Sequence, residues 1–253
     1  MSIIALLLLA LVPPALLLAI TYGIDRQEKE PMGLLLLLLL LGAVSCIPAA
    51  IVELVGQLIL ELLALLPIPR LVIIFIMAVL VVAVAEEGFK YLFLRLMTWK
   101  KSSFNYRFDG IVYAVYTSLG FAAAENLLYV LQNGAGTGWL RAFTSVPMHA
   151  SCGVLMGIFY GRAKGCANVN NKKGYKQAIR KTLLYPILAH GWYDFCLMTE
   201  SGWMVLLWVL TTIALFVYII VNLVQGSKQD HSIAPKPAPV DETRPDDFSG
   251  DVL

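Results

Sequence analysis

Charge is what this chain has least of. Charged residues make up 14% of its 253 positions and hydrophobic ones 59%, whereas a soluble domain carries about 25% charge. That balance excludes a soluble globular protein. No basic cluster is interleaved with aromatic residues, so nucleic acid is not an expected partner. The four cysteines, Cys46, Cys152, Cys166 and Cys196, form no CxxC pair, and buried apolar thiols are the expected reading. No HExxH motif is present, so a zincin-type helix is absent.

What is present is a succession of long apolar runs. A bilayer crossing needs about 20 such residues. Seven runs meet the need, at about 3–22, 33–66, 71–92, 110–131, 143–161, 181–198 and 203–224. The second is long for one crossing and holds Gly42, Pro48, Glu53, Gly56 and Glu61. It reads as one kinked, tilted helix, or as a helical hairpin that would make eight crossings. The fold class is therefore all-α, a polytopic helical membrane protein. The first run lacks a basic n-region and a small-residue cleavage site, so it is expected to be a retained span.

Basic residues set the expected orientation. Arg95, Lys100, Lys101 and Arg107 follow the third run; Arg162, Lys164, Lys172, Lys173, Lys176, Arg180 and Lys181 follow the fifth. Both loops are expected in the cytoplasm, with the C-terminus, and seven spans put the N-terminus outside. Residues 1–226 form the expected membrane domain. From 227 to 253 the composition shifts to Pro235, Pro237, Pro239, Pro245 and acidic residues, which reads as a disordered cytoplasmic tail.

Against this apolar background, ionisable groups inside the runs stand out, because each costs about 2.5–3.5 kcal/mol at bilayer depth on insertion scales. Glu86, Glu87 and Lys90 share the third run, and helical spacing lets Lys90 pair with either carboxylate. Such a pair suits general acid–base chemistry on water. Glu125 and Asn126 follow three alanines on the fourth run; the Asn126 amide is a candidate donor to an oxyanion. His149 opens a stripe continued by Gly153, Gly157 and Gly161, a close-packing face that turns the imidazole toward the bundle. His190 and Asp194, four apart, share one face, where the carboxylate can orient the ring or the two can bind a metal. A structural ion-pair cluster is the plainer reading of each. Glu53 and Glu61 are expected to be structural or interfacial.

In order along the chain, Glu86-Glu87-x-x-Lys90, Phe121-x-x-x-Glu125-Asn126, His149-x-x-x-Gly153 and His190-x-x-x-Asp194 resemble the PrsW family of intramembrane proteases. That family is related to the type II CAAX prenyl proteases and bacteriocin-processing enzymes of the Abi superfamily. The likeness covers about 71–198. It implies hydrolysis of a peptide bond in a single-pass membrane protein, with an anti-sigma factor in stress signalling as the family's best-known substrate. It implies a bacterial inner-membrane location, in contact with the lipid bilayer. By the same likeness Glu86 and Glu87 match the water-activating pair, and Lys90, Glu125, Asn126, His149, His190 and Asp194 the other polar motif positions. Two cofactor readings stay open: a divalent metal such as zinc, or a metal-free glutamate mechanism. Two readings from other classes also stay open, a proton-coupled transporter using the buried relay and a non-catalytic membrane scaffold.

Overall fold

A computed structural model describes residues 2–235. Every element among them is helical, as lipid requires of a chain that must satisfy its own backbone. The order is α1 (Ile3–Ile24), α2 (Met32–Leu63), α3 (Arg70–Phe75), a π-helix (Ile76–Ala83), α4 (Val84–Thr98), α5 (Asp109–Asn133), α6 (Ala135–Phe143), α7 (Ser145–Asn168), α8 (Lys172–Met198) and α9 (Gly202–Lys228). Six helical stretches are long and apolar enough to cross a membrane, α3 through α4 counting as one rod and α6 with α7 as another. The expected seventh is α8. It is long enough, but it starts nine residues before the predicted span and opens with Lys172, Lys173, Lys176, Arg180 and Lys181.

The awkward second run is one continuous helix. Pro48 lies inside α2 without ending it, so no hairpin forms. At 1.5 Å per residue α2 is about 48 Å long, against a hydrocarbon core of about 30 Å, which implies a tilt or an emerging end.

The hub is α5. Its residues from Asp109 to Ala122 are all buried, and it packs against α7, α2 and α1. Glycine makes these contacts close. A Cβ on Gly157 would collide with the Ile111 backbone of α5, and one on Gly153 would lie 2.9 Å from Val115 Cα. On the other side of α5, Gly42 of α2 faces the Thr117 carbonyl and Gly120 faces the Leu39 carbonyl, with no room for a methyl group at either. The small-residue stripe read on α7 is thus the α5–α7 seam. By contrast α9 buries only Ile219 and Ser227, and it packs on α7 and α8.

One end of the bundle is closed by three loops. Asp109 Oδ2 accepts from the backbone N–H groups of Asn105 (3.0 Å) and Tyr106 (2.7 Å). Asp230 Oδ1 accepts from Phe108 N (2.9 Å), Ile233 N donates to Asn105 O (2.7 Å), and Ser227 Oγ donates to Ile24 O (2.5 Å). Glu30 accepts from the Tyr113 hydroxyl. The chain past the expected boundary at 227 is therefore placed as far as 235, pinned to the 101–109 loop; the rest of the expected tail, 236–253, lies outside the described residues. Burial pushes the Glu30 carboxyl up to about 7, against the lowering hydrogen bonds of Tyr113 and Asp109.

Two outcomes follow from this packing. Gly157→Leu costs about 3 kcal/mol through overpacking, read as a lower thermal midpoint in detergent, while Gly88→Ala, which meets nothing within 4 Å, does not lower it. Glu30 binds a proton in the folded chain that the unfolded chain releases near its ordinary 4.5. Its contribution to stability is complete below that value and is lost as pH rises through about 7. The thermal midpoint accordingly falls between pH 5 and pH 8, and Glu30→Gln flattens the fall.

Candidate active site

The rod from Arg70 to Thr98 changes its winding just before the acidic pair. The π-helix ends at Ala83, and Glu86 and Glu87 occupy the first turn of α4. Wide turns of this kind recur at functional sites because they re-aim the residues that follow. Here the turn also carries Val79 against Gly191 of α8, where an added Cβ would sit 2.9 Å from Val79 Cα. That contact brings the His190 turn of α8 onto the glutamates.

Lys90, fully buried, ties the centre together. Its ammonium donates to Glu86 Oε2 (3.0 Å), Glu87 Oε1 (2.8 Å) and His149 Nδ1 (3.1 Å), and it lies 4.0 Å from the Phe121 ring centroid. An ammonium has no acceptor, so its bond to His149 requires a bare Nδ1. The His149 proton is then on Nε2, which donates to Glu125 Oε2 at 2.8 Å. Ser118 Oγ donates to the His149 carbonyl (2.7 Å) and fixes the backbone beneath the ring. His190 meets Glu87 Oε1 through Nδ1 at 2.9 Å. Its Nε2 lies 3.3 Å from Asp194 Oδ2 and 3.8 Å from Glu86 Oε2. The two imidazoles meet edge to face, with centroids 5.3 Å apart.

A cavity of about 570 Å³ opens on one side of this cluster. Glu86, Glu125, His149, His190 and Asp194 line it, while Glu87 and Lys90 do not. The adjacent glutamates therefore have different surroundings: Glu86 faces open space, and Glu87 lies behind it between Lys90 and His190.

Seven of the eight residues singled out in the sequence contact one another in one network, and Asn126 joins it only through Arg141. Asn126 is buried beside it and turned elsewhere. Its Nδ2 donates to Ala10 O of α1 (2.8 Å) and its Oδ1 accepts from Arg141 Nε (2.9 Å). Through these bonds Asn126 ties α1 and α6 to α5. The sequence reading missed two cavity residues. Arg141, counted only as a loop charge, sits on the amphipathic α6, which folds back after Gly134, whose φ of +81° suits glycine. Its Nη2 lies 2.9 Å from Glu125 Oε2, and its guanidinium lies over the Tyr129 ring at 4.3 Å. Glu53 of α2 also lines the cavity. The alternation of one arginine with apolar and aromatic residues in Gly138–Phe143 is the signal that could have marked α6 as a surface helix.

A family model described as PrsW family intramembrane metalloprotease matches residues 30–223. The chain belongs to the PrsW family. Similar proteins named "Protease PrsW" come from Oceanobacillus iheyensis (32% identity over 206 residues, 79% of this chain and 89% of the relative), Geobacillus kaustophilus (33% over 191 residues, 76% and 79%) and Bacillus subtilis (31% over 211 residues, 78% and 87%). No solved structure matches the chain. Membership makes this membrane-embedded chain an intramembrane protease, so the transporter and scaffold readings give way to hydrolysis.

The metal implied by the family's description can be weighed against these residues. Glu86, Glu87, His149 and His190 each offer a donor atom, all within 4.8 Å of one another. The buried Glu87 Oε2 has no hydrogen-bond partner. Carboxylates and imidazoles are a zinc-type donor set, so the residues fit a divalent ion in kind and in spread. The Lys90 ammonium competes with it, because it already bonds three of the four groups.

Removing Lys90 tests this centre directly. Lys90→Met strands two buried carboxylates and costs about 3–5 kcal/mol, read as loss of folded protein in detergent. Combining it with Glu86→Gln and Glu87→Gln removes the stranded charge and restores a folded, inactive protein.

Proposed function

We propose that this chain is a multi-pass protease of the bacterial inner membrane that cuts a single-pass membrane protein, an anti-sigma factor in stress signalling, with Glu86 as the base that activates water. The observation that carries the assignment is that Glu86 alone of the glutamate pair faces the 570 Å³ cavity beside His190. Positive charge at the end holding Lys100, Lys101 and Arg107 supports a cytoplasmic C-terminus, with residues 1–226 as the catalytic membrane domain.

Hydrolysis proceeds in two steps on these residues. Glu86 takes a proton from a water in the cavity as the oxygen attacks the scissile carbonyl carbon. Glu86 then returns that proton to the leaving amine as the C–N bond breaks. Glu87 and Lys90 hold Glu86 and His190 in place from behind. His190, held through Nδ1 by Glu87, turns its Nε2 proton, which faces Asp194 before substrate binds, toward the oxyanion. His149, fixed by Glu125, closes the wall beside them, and Asn126 acts through Arg141 as a positioning residue. A divalent ion held by Glu86, Glu87, His149 and His190 would supply Lewis acidity to the carbonyl.

The test compares membrane-protein N-termini, by mass spectrometry, in cells carrying wild type, Glu86→Gln or Glu87→Gln at matched abundance, at rest and under envelope stress. Expected are new termini near a transmembrane segment with wild type only, and a fall of about 10³-fold or more in rate with the purified pair for Glu86→Gln. Cleavage that survives Glu86→Gln in folded protein overturns the mechanism.

A further inference from the structure

One carboxylate of the cavity has no cation of its own. Glu86 shares Lys90 with Glu87, Glu125 is engaged by Arg141 and His149, and Asp194 faces His190. Glu53 also lines the space. Among the described residues no side-chain hydrogen bond or ion pair engages it, although it is half-buried and within electrostatic reach of Glu125, His190, Asp194 and Lys90. It belongs to a defined face: Ala50, Glu53, Leu54 and Gln57 follow helical spacing along α2 and all border the cavity. The neighbouring Ile51, Val52, Val55 and Leu58 do not border it. A carboxylate held in an apolar wall without a countercharge is costly, and the cost is relieved when a cation enters the cavity beside it.

We infer that Glu53 is a specificity-determining residue, which receives a lysine or arginine side chain of the substrate close to the scissile bond. The inference rests on the reading that the bond is cut in this cavity. An extended segment between α2 and α8 places its reacting carbonyl near Glu86 and His190 and presents flanking side chains to the α2 face. A basic side chain there gives Glu53 a countercharge, whereas an acidic one meets Glu53 and Glu125 together. Discrimination of this kind, by an unmatched charge on the enzyme, favours one substrate mainly by penalising the others.

The experiment takes the cut sites that depend on wild type and asks whether lysine or arginine is enriched at a fixed offset from the bond. One such segment is then made with Lys, Gln or Glu at that offset, and kcat/KM is measured on the purified full chain in nanodiscs. Expected for wild type is a Lys-to-Gln ratio of about ten and a further drop for Glu. In Glu53→Gln that ratio falls toward one, and in Glu53→Lys the Glu segment overtakes the Lys segment. No basic enrichment, or a uniform loss in Glu53→Gln that keeps the ratio near ten, overturns the inference. Wild-type-dependent cut sites that persist in Glu86→Gln overturn instead the reading of the cavity as the active site.

Discussion

A single buried ammonium organises the centre of this protein. Lys90 is fully enclosed, and its three protons are directed to Glu86, Glu87 and His149. In a low-dielectric interior none of those groups could be held in place alone at reasonable cost. Together they form a nearly balanced set whose geometry is dictated by the number of donors on one nitrogen. The remaining arrangement follows outward from it: the His149 tautomer, the bond to Glu125, and through Glu125 the contact with Arg141 on α6. Charge balance thus supplies the specificity of position that a purely apolar bundle, with its many equivalent ways of sliding helix on helix, lacks.

The cluster also divides labour between two residues that are identical in sequence. Glu86 and Glu87 are adjacent, so they point about 100° apart on the helix. One reaches the cavity and the other the space behind it. A tandem pair of this kind is a compact way to place a reactive carboxylate and its support on one turn, with Lys90 close enough to touch both. The small side chains on α5 and α7 serve the same end: Gly153 and Gly157 let the two backbones approach until His149 comes within reach of a residue on α4.

Much of this was legible in the sequence, and for physical reasons. Charges in an apolar run are conspicuous because the bilayer penalises them, so Glu86, Glu87, Lys90, Glu125, His149, His190 and Asp194 declared themselves. Helical spacing then correctly paired Lys90 with both glutamates and His190 with Asp194. The failures have a common origin in contacts between distant parts of the chain. Nothing near Asn126 announces that its amide is taken by Ala10, 116 residues away. Arg141 resembles a loop charge until α6 is seen to fold back. The π-helix has no sequence mark in Ile76–Ala83, a run of apolar residues equally suited to an ordinary helix. Glu53 did not stand out because it lines the cavity without making any side-chain bond among the described residues. The second run left one kinked, tilted helix and a hairpin both open, and Pro48 is accommodated within one long helix.

The closed end of the bundle has a bearing on how the protein is made. Residues 25–31 leave the ribosome before their neighbours at 227–233, which are synthesised some 200 residues later. Until then Glu28, Glu30 and the 105–109 loop must wait in a partly assembled bundle. The end can close only after the last helix has been inserted and its exit has reached the surface. A chain interrupted before that moment is left with an unlatched end, so the same few hydrogen bonds that fasten the bundle also couple its first helices to α9.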